Sequence, residues 1–410
     1  MAGNNEQLPY YTPGLLLPWK WKRNESCTPL NIEEFALASD KLALPLRDQP
    51  PPTPVPERPP EPKRSPKDPW VNLIELGLDF RDWLNTPSPP KPPPAAAAPA
   101  VKKPRVKPFD LQDIPDAMER IGWPMSAKVM RKWFAGELNY ANTDDGARFG
   151  INQNGKPFPP SMIDTNMFKL DWILGFPRAK EKYDELIDVE IHSNAARREI
   201  IRMFGRHNPS PYYRDGWKLS ERNMHQYHKE FQFQLTKVDS GFSDKLFMFL
   251  RGAAAPNGLF MDDLYGSLGA FTLNAAIGGH YFYGRQGGRM RVEVHDIAIY
   301  MRDVFTFHDR NNSYLHGAIK SGSQYLGHWN KKGFIIVPGA TLAGEMTTWD
   351  WPMFPVARDG MISDGNIYYP VRNKDYRQWQ LKHGQGGDLV LYSDKRLLRL
   401  KVPLIVEFDL

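Results

Sequence analysis

Proline divides this chain before any pattern of apolar residues is considered. Roughly two-thirds of its 38 prolines stand before residue 109, in runs such as QPPPTPVPERPPEPKRSPKDP and TPSPPKPPPAAAAPAVKKPRVKP. Each proline lacks the backbone donor that a helix or ladder uses, and it pushes its predecessor out of the helical region. Residues 1–107 are therefore expected to be a disordered, partly polyproline-like leader, which leaves about 300 of the 410 residues to build a packed core. One island interrupts the prolines. In DPWVNLIELGLDFRDWLN, residues 68–85, the apolar Trp70, Leu73, Ile74, Phe80, Trp83 and Leu84 recur at near-helical spacing. An amphipathic helix between extended spacers has no core of its own, so it either docks in a partner groove or folds back on the main domain.

Charge and cysteine content narrow the classes further. A formal net charge of +6, mixed in sign along the chain, does not force a phosphate-backbone partner, and nucleic acid is not expected as one. Cys27 is the only cysteine, which excludes an internal disulfide framework and a Cys-rich zinc site. The opening MAGNNEQLPYYTPGLLLPWKWKRNE sets no basic stretch ahead of its apolar residues, and Leu15 to Leu17 are too few for a cleavable signal. No run of about 18 apolar residues occurs, so no transmembrane segment is expected. The chain is expected in the cytoplasm when made, with any export by a route that ignores cleavable signals.

The rest of the chain divides by hydrophobic period. In 108–207 the period is helical: Asp113 can cap DIPDAMERIG, Pro115 suits an early helical position, and Pro124 forces a break before a second helix starting near Ser126. Val129, Met130, Trp133 and Phe134 form that helix's apolar face, and Ser193 or Asn194 can cap a later helix that Gly205 stops. From about residue 225 the period becomes two, with Phe231, Phe233 and Leu235 alternating and GAFTLNAAI and HYFYG following. A short helix KDYRQWQLKH, capped by Asn373 and ended by Gly384, precedes the closing strands GGDLVLYSD and LLRLKVPLIVEF. The expected class is α+β: the Pro-rich leader, a helical lobe over 108–207, and a curved antiparallel β-sheet or partial barrel over 208–410, with 108–410 one folded unit.

Within this plan one stretch concentrates chemistry, VEVHDIAIYMRDVFTFHDRNNSYLHGAIKSGSQYLGHWN at 292–330. Val292 and Val294 alternate, the alternation breaks at His295-Asp296, and it resumes on the other parity at Ile297, Ile299 and Met301, which is the mark of a β-bulge. The strand then runs into Asp303, His308, Asp309 and Arg310, where a site would be expected, although Asp-Arg-Asn-Asn at 309–312 also reads as an ordinary polar turn. If the return leg pairs with this strand, His316 and His328 come near Asp303. Asp303 would then hold a divalent cation such as magnesium or polarise water, and a histidine would move protons. His225 and His228 would share a face on a helix, but the sequence there is turning into a strand, and they are expected to be surface or satisfied histidines. No nucleophile elbow, phosphate-binding loop or dinucleotide fingerprint is present, and GGHYFYGRQGGR reads as a tight hairpin with a basic tip.

Three blocks, DIPDAMERIGWPMSAKVMRKWF, VEVHDIAIYMRDVFTF with SQYLGHWN, and YPVRNKDYRQWQLKHGQGGDLVLYSD, together resemble an uncharacterised bacterial domain family encoded near type VI secretion loci. The resemblance spans roughly residues 108–400 and implies an antibacterial cargo protein. Its leader would engage a secretion spike or adaptor, an immunity protein would be a further partner, and it would act in the target-cell periplasm. A more distant similarity is to colicin M-type bacteriocins, which cleave the lipid-linked peptidoglycan precursor and carry Asp-x-Tyr-Asp followed five residues later by His-Arg. The matching positions here are Asp303, Phe305 and Thr306, then Asn312 and Ser313, so only the first acid is kept. His308 and Arg310, or His316, stand nearby but out of register. The resemblance implies a metal-assisted hydrolase in which Asp303 holds the ion, His308 or His316 transfers protons and Arg310 neutralises phosphate. The departures from the pattern favour another class, a non-catalytic secretion-associated binding or adaptor protein.

Overall fold

The computed structural model describes residues 37–43, 108–206, 208–239, 261–284, 288–309, 323–335, 355–358 and 365–409, together with two short strands near the start, Tyr10–Tyr11 (β1) and Trp19–Lys20 (β2). The chain forms two compact units, Met1–Leu46 with Arg105–Leu410, and Arg47–Pro104. The second unit lies outside the described residues, and so do the docking segment 68–85 with Trp70, Leu73, Ile74, Phe80 and Trp83, and also Arg310 and His316. The leader expected over 1–107 is thus divided, because part of it belongs to the folded unit. β1 pairs with β2 and, in parallel, with Val356–Arg358, while Asp110 Oδ2 accepts the Asp40 backbone N–H at 2.9 Å. Prolines forbid ladder bonds only at their own positions, so short proline-free pieces between them can still pair with an open edge.

The helices follow their sequence signals closely. α1 (Ile114–Arg120) has its proline in the first turn, and α2 (Pro124–Phe134) begins at Pro124 itself. That proline opens the helix instead of standing before it, since its missing N–H has no intrahelical partner at the first position anyway. α3 (Asp144–Phe149) is capped by the Thr143 hydroxyl and ended by Gly150 at φ +70°; α4 (Leu170–Leu174) and α5 (Pro177–Asp188) follow. α6 (Asn194–Phe204) is capped by Ser193, whose side chain accepts from the Ala196 N–H, and it ends at Gly205. Next come α7 (Gly216–Leu219), α8 (Met224–Phe231) and α9 (Asp263–Leu268), then α10 (Asn373–His383), whose cap is Arg372 with Asn373 as the first helical residue.

The remaining strands are β3 (Ile163–Phe168), β4 (Ser210–Asp215), β5 (Gln232–Val238), β6 (Phe271–Ile277), β7 (Gly279–Gly284), β8 (Arg289–Phe305), β9 (Tyr325–Asn330), β10 (Gly333–Ile335), β11 (Val356–Arg358), β12 (Ile367–Arg372), β13 (Leu389–Ser393) and β14 (Arg396–Asp409). They form a larger sheet in the order β3-β13-β8-β6-β5, with β14 and β7 also on β8 and β4 on β7, and a second sheet β10-β9-β12-β11-β1-β2. The class is α+β, and the larger sheet curls into a half-barrel. It is mixed, because β13 and β3 run parallel. β3 comes from within 108–207 and α8 to α10 from beyond 208, so the helical and sheet stretches interleave in the fold.

β8 is the axis of this architecture. Over 17 residues it changes partner on both edges, from β7 to β6 on one side and from β14 to β13 on the other. β14 gives way to β13 only after Ile299, whereas the exchange of β7 for β6 falls at the expected bulge: Val292 and Val294 are buried, His295 and Asp296 are not, and Ile297, Ile299 and Met301 are buried again. β14 slips register opposite the same point, between Arg399 and Leu404. An extra residue there bends the strand and increases its twist, which lets one long strand serve two parts of a curled sheet. From Ile297 to Met301 both faces are covered, and burying such side chains contributes about 1.5–3 kcal/mol for each large apolar one.

Among the described residues, the return leg does not pair with β8. β9 joins β10 and β12 in the second sheet, so His328 is carried away from Asp303 and bonds the Tyr325 hydroxyl instead. Apolar alternation sets which face of β9 is buried, but it does not choose the neighbouring strand.

Candidate functional site

The exit of β8 is the place where charge gathers beside the core. Arg302 stands opposite Tyr392 of β13 and Thr272 of β6, and Asp303 stands opposite Leu391. Successive strand residues face opposite sides of a sheet, so Tyr300, Arg302 and Tyr392 share one face and Asp303 and Leu391 the other. Asp303 is half-buried, with its carboxyl closed in by neighbouring protein. Burial pushes that carboxyl up to about 7, against the pull of the Val304 backbone N–H and the Arg302 charge.

Two further groups of the predicted cluster, His308 and Asp309, are used in tying the strand exit down. His308 Nε2 bonds Asp144 Oδ1 at 2.8 Å, and its side chain is only 11% exposed. Asp309 Oδ1 accepts the Gln324 N–H at 2.9 Å, joining the residues after β8 to those just before β9. Between them and Asp303, Thr306 donates to Asp388 at 2.6 Å, and Phe307 stacks on Tyr376 with ring centroids 3.8 Å apart. Asp388 is fully buried and also accepts from Trp133 Nε1 at 3.2 Å and from the Ala141 N–H. Burial raises its pKa, and Arg377 and these donors oppose the rise. Asp303, His308 and Asp309 are therefore neighbours along the chain, but their side chains serve different local networks.

On the opposite face lie His225 and His228, satisfied histidines as expected, but on a helix where the sequence suggested the start of a strand. Residues 224–231 are helical, not strand, so His225 and His228 share one face of α8, as i, i+3 spacing requires. His225 Nδ1 lies 3.0 Å from the Tyr392 hydroxyl and His228 Nδ1 3.0 Å from the Tyr300 hydroxyl. Burial, helped by the Arg302 charge, lowers the His225 pKa and pushes His228 down to about 3, so both rings are neutral at pH 7. The signal that could have found this helix is Asn223, whose side chain accepts the Gln226 N–H as an N-cap.

A divalent cation at Asp303 would need further ligands. Among the described residues no group of three or more His, Cys, Asp or Glu side chains is placed to hold a metal ion. One carboxylate is nonetheless enough where substrate phosphate oxygens and water complete the shell, as is usual for magnesium.

Residues 109–408 match a family model described as Family of unknown function (DUF6402), and the chain belongs to that family. Comparison with curated proteins and with solved structures finds no match.

Proposed function

Starting from that membership, we propose that the protein is a type VI secretion-associated antibacterial effector. In this reading it acts in the target-cell periplasm as a hydrolase on lipid-linked peptidoglycan precursors, with Asp303 as its acid–base group. The observation that carries the reading is the carboxyl of Asp303, enclosed at the exit of the central strand, where burial pushes its pKa up to about 7. A group poised near neutrality is present in both protonation states, so it can accept a proton from attacking water and return it to a leaving oxygen. The three sequence blocks support the secretion context, with the leader engaging a spike or adaptor and an immunity protein restraining the toxin in the producing cell. Magnesium, where it binds, would supply charge neutralisation for phosphate oxygens at Asp303.

A second reading, a non-catalytic secretion-associated binding or adaptor protein, is favoured by His308 and Asp309, which are engaged in structural hydrogen bonds and not directed together at Asp303. Expression of the full chain in a susceptible bacterium, directed once to the periplasm and once to the cytoplasm, separates the two. Growth arrest in the periplasm alone, lost on Asp303→Ala while the protein stays folded, is the expected result. Arrest in neither compartment, or arrest that survives the substitution, overturns the catalytic reading.

A further inference from the structure

Two stretches far apart in the sequence, 37–43 and 109–113, are bonded to each other in the folded unit. The Ala38 N–H donates to the Phe109 carbonyl and the Leu111 N–H to the Ala38 carbonyl, both at 2.9 Å. Asp110 is 4% exposed and uses both of its carboxylate oxygens. Oδ1 accepts the Gln112 N–H at 2.9 Å as the cap of the short turn Leu111–Asp113, and Oδ2 accepts the Asp40 and Lys41 N–H groups at 2.9 and 3.2 Å. Gln112 Nε2 donates to the Lys41 carbonyl at 2.8 Å, and His383 Nε2, at the end of α10, donates to the Ser39 carbonyl at 2.9 Å. Leu37 and Ala43, at the two ends of the stretch, pack on the core.

The ion pairs at this junction are not what holds it. Lys41–Asp113 and Lys382–Asp40 are largely exposed at Lys41, Lys382 and Asp40, where solvent screens them and little is gained. Asp110 decides the strength, because backbone N–H groups donating to an enclosed carboxylate make charge-assisted bonds roughly twice as strong as neutral ones. Residues 37–43 are thus part of the folded unit, as are β1 and β2 on the edge of β11. Residues 44–107 join the two bonded stretches and are thereby closed into a loop. Its length is no obstacle, since the entropy of closing a loop grows only slowly with the number of residues in it.

We propose that Asp110 and residues 37–43 form a clasp that closes the Pro-rich stretch into a loop with both ends on the domain, so that the N-terminal piece stays bound after the loop is cut. A stretch that the sequence presents as a free leader then ties whatever it carries to the domain through two ends, and one break in it does not part them. The clasp does not depend on the hydrolase reading.

The test is to cut the full chain once inside the loop, with the recognition sequence of a site-specific protease in place of Ala95–Ala98, and to follow the pieces by native mass spectrometry and size-exclusion chromatography at increasing dilution. In the uncut chain a released segment is held close and rebinds, so cutting exposes the clasp's own strength. The two pieces of the wild-type chain are expected to remain together, one of each. Asp110→Asn sets an amide donor where a carboxylate oxygen accepts, and Ala38→Pro removes the bond to the Phe109 carbonyl from the leader side, outside the domain's own core. Each variant should speed release at least about ten-fold. Prompt separation of the wild-type pieces, or release no faster in either variant, would overturn the clasp. Assemblies with two copies of each piece would mean that 37–43 docks on a second chain, and would overturn closure within one.

Discussion

Arg302 and Asp303 are consecutive on β8, yet they face opposite sides of the sheet, the first toward Tyr392 and two histidines and the second beside Leu391. Asp303 carries the larger consequence for stability. Its folded pKa of about 7 lies above the unfolded value, so the folded state holds the proton more tightly. The contribution is favourable below about pH 4 and is lost as pH rises toward 7. Asp303→Asn removes this loss. Between pH 4.5 and 7.5 the wild type should fall relative to the variant by on the order of 2 kcal/mol, a figure reduced for the residue's partial exposure. Denaturant unfolding of both proteins at the two pH values measures it, and parallel pH profiles would contradict it.

His228 predicts an acid-side effect. Its folded pKa of about 3 lies below the unfolded value, so the stability it supports is full above about pH 6.5 and is lost as pH falls toward 3. His228→Asn should therefore lose less stability than the wild type between pH 6.5 and 4. The comparison is made by thermal unfolding at a series of pH values, and an equally steep acid decline in both proteins would remove His228 as a cause.

Much of the fold was legible because it rests on local rules. The parity change at His295-Asp296 marked the bulge, Ser193 and Gly205 marked the ends of α6, and the closing strands stand where their alternation put them. What the sequence did not disclose was pairing. β3 meets β13 in parallel across more than half of the chain, and β9 turns to β12 instead of β8, because period fixes the buried face and not the neighbour. The site was legible only at Asp303. His225 and His228 are satisfied, as their sequence context suggests, but the alternation of Phe231, Phe233 and Leu235 just beyond them hides the helix that sets both on one face. Arg302, Tyr300, Tyr392 and Asn274 come together only once three strands are in register.

Asp388 binds the strand exit to α2. It accepts from Trp133, Ala141 and Thr306 inside the core, with Arg377 Nη2 at 3.7 Å. Asp388→Ala leaves three donors and a guanidinium without their acceptor and should destabilise the fold by about 3–5 kcal/mol. Chemical denaturation reads this directly, and a loss below about 1 kcal/mol would show that the network carries little.

Gly216 opens α7 against the end of β6. A Cβ there would lie 2.3 Å from the Ile277 carbonyl oxygen and 3.0 Å from the Phe231 ring. The same carbonyl accepts from the Tyr227 hydroxyl at 3.0 Å, so it cannot retreat freely. Gly216→Ala is expected to cost about 1–3 kcal/mol in equilibrium unfolding. An unchanged midpoint would mean that the helix shifts without cost.

The most direct test is a titration of the Asp303 side-chain carboxyl itself, by carbon-detected NMR of the full chain labelled at aspartate, with Asp303→Asn to assign the signal. A midpoint near 7 is expected and would place a half-protonated carboxyl at the exit of the central strand, as an acid–base group requires. A midpoint near 4, the ordinary value for an aspartate in water, would contradict the acid–base role and leave the protein a binding partner in secretion.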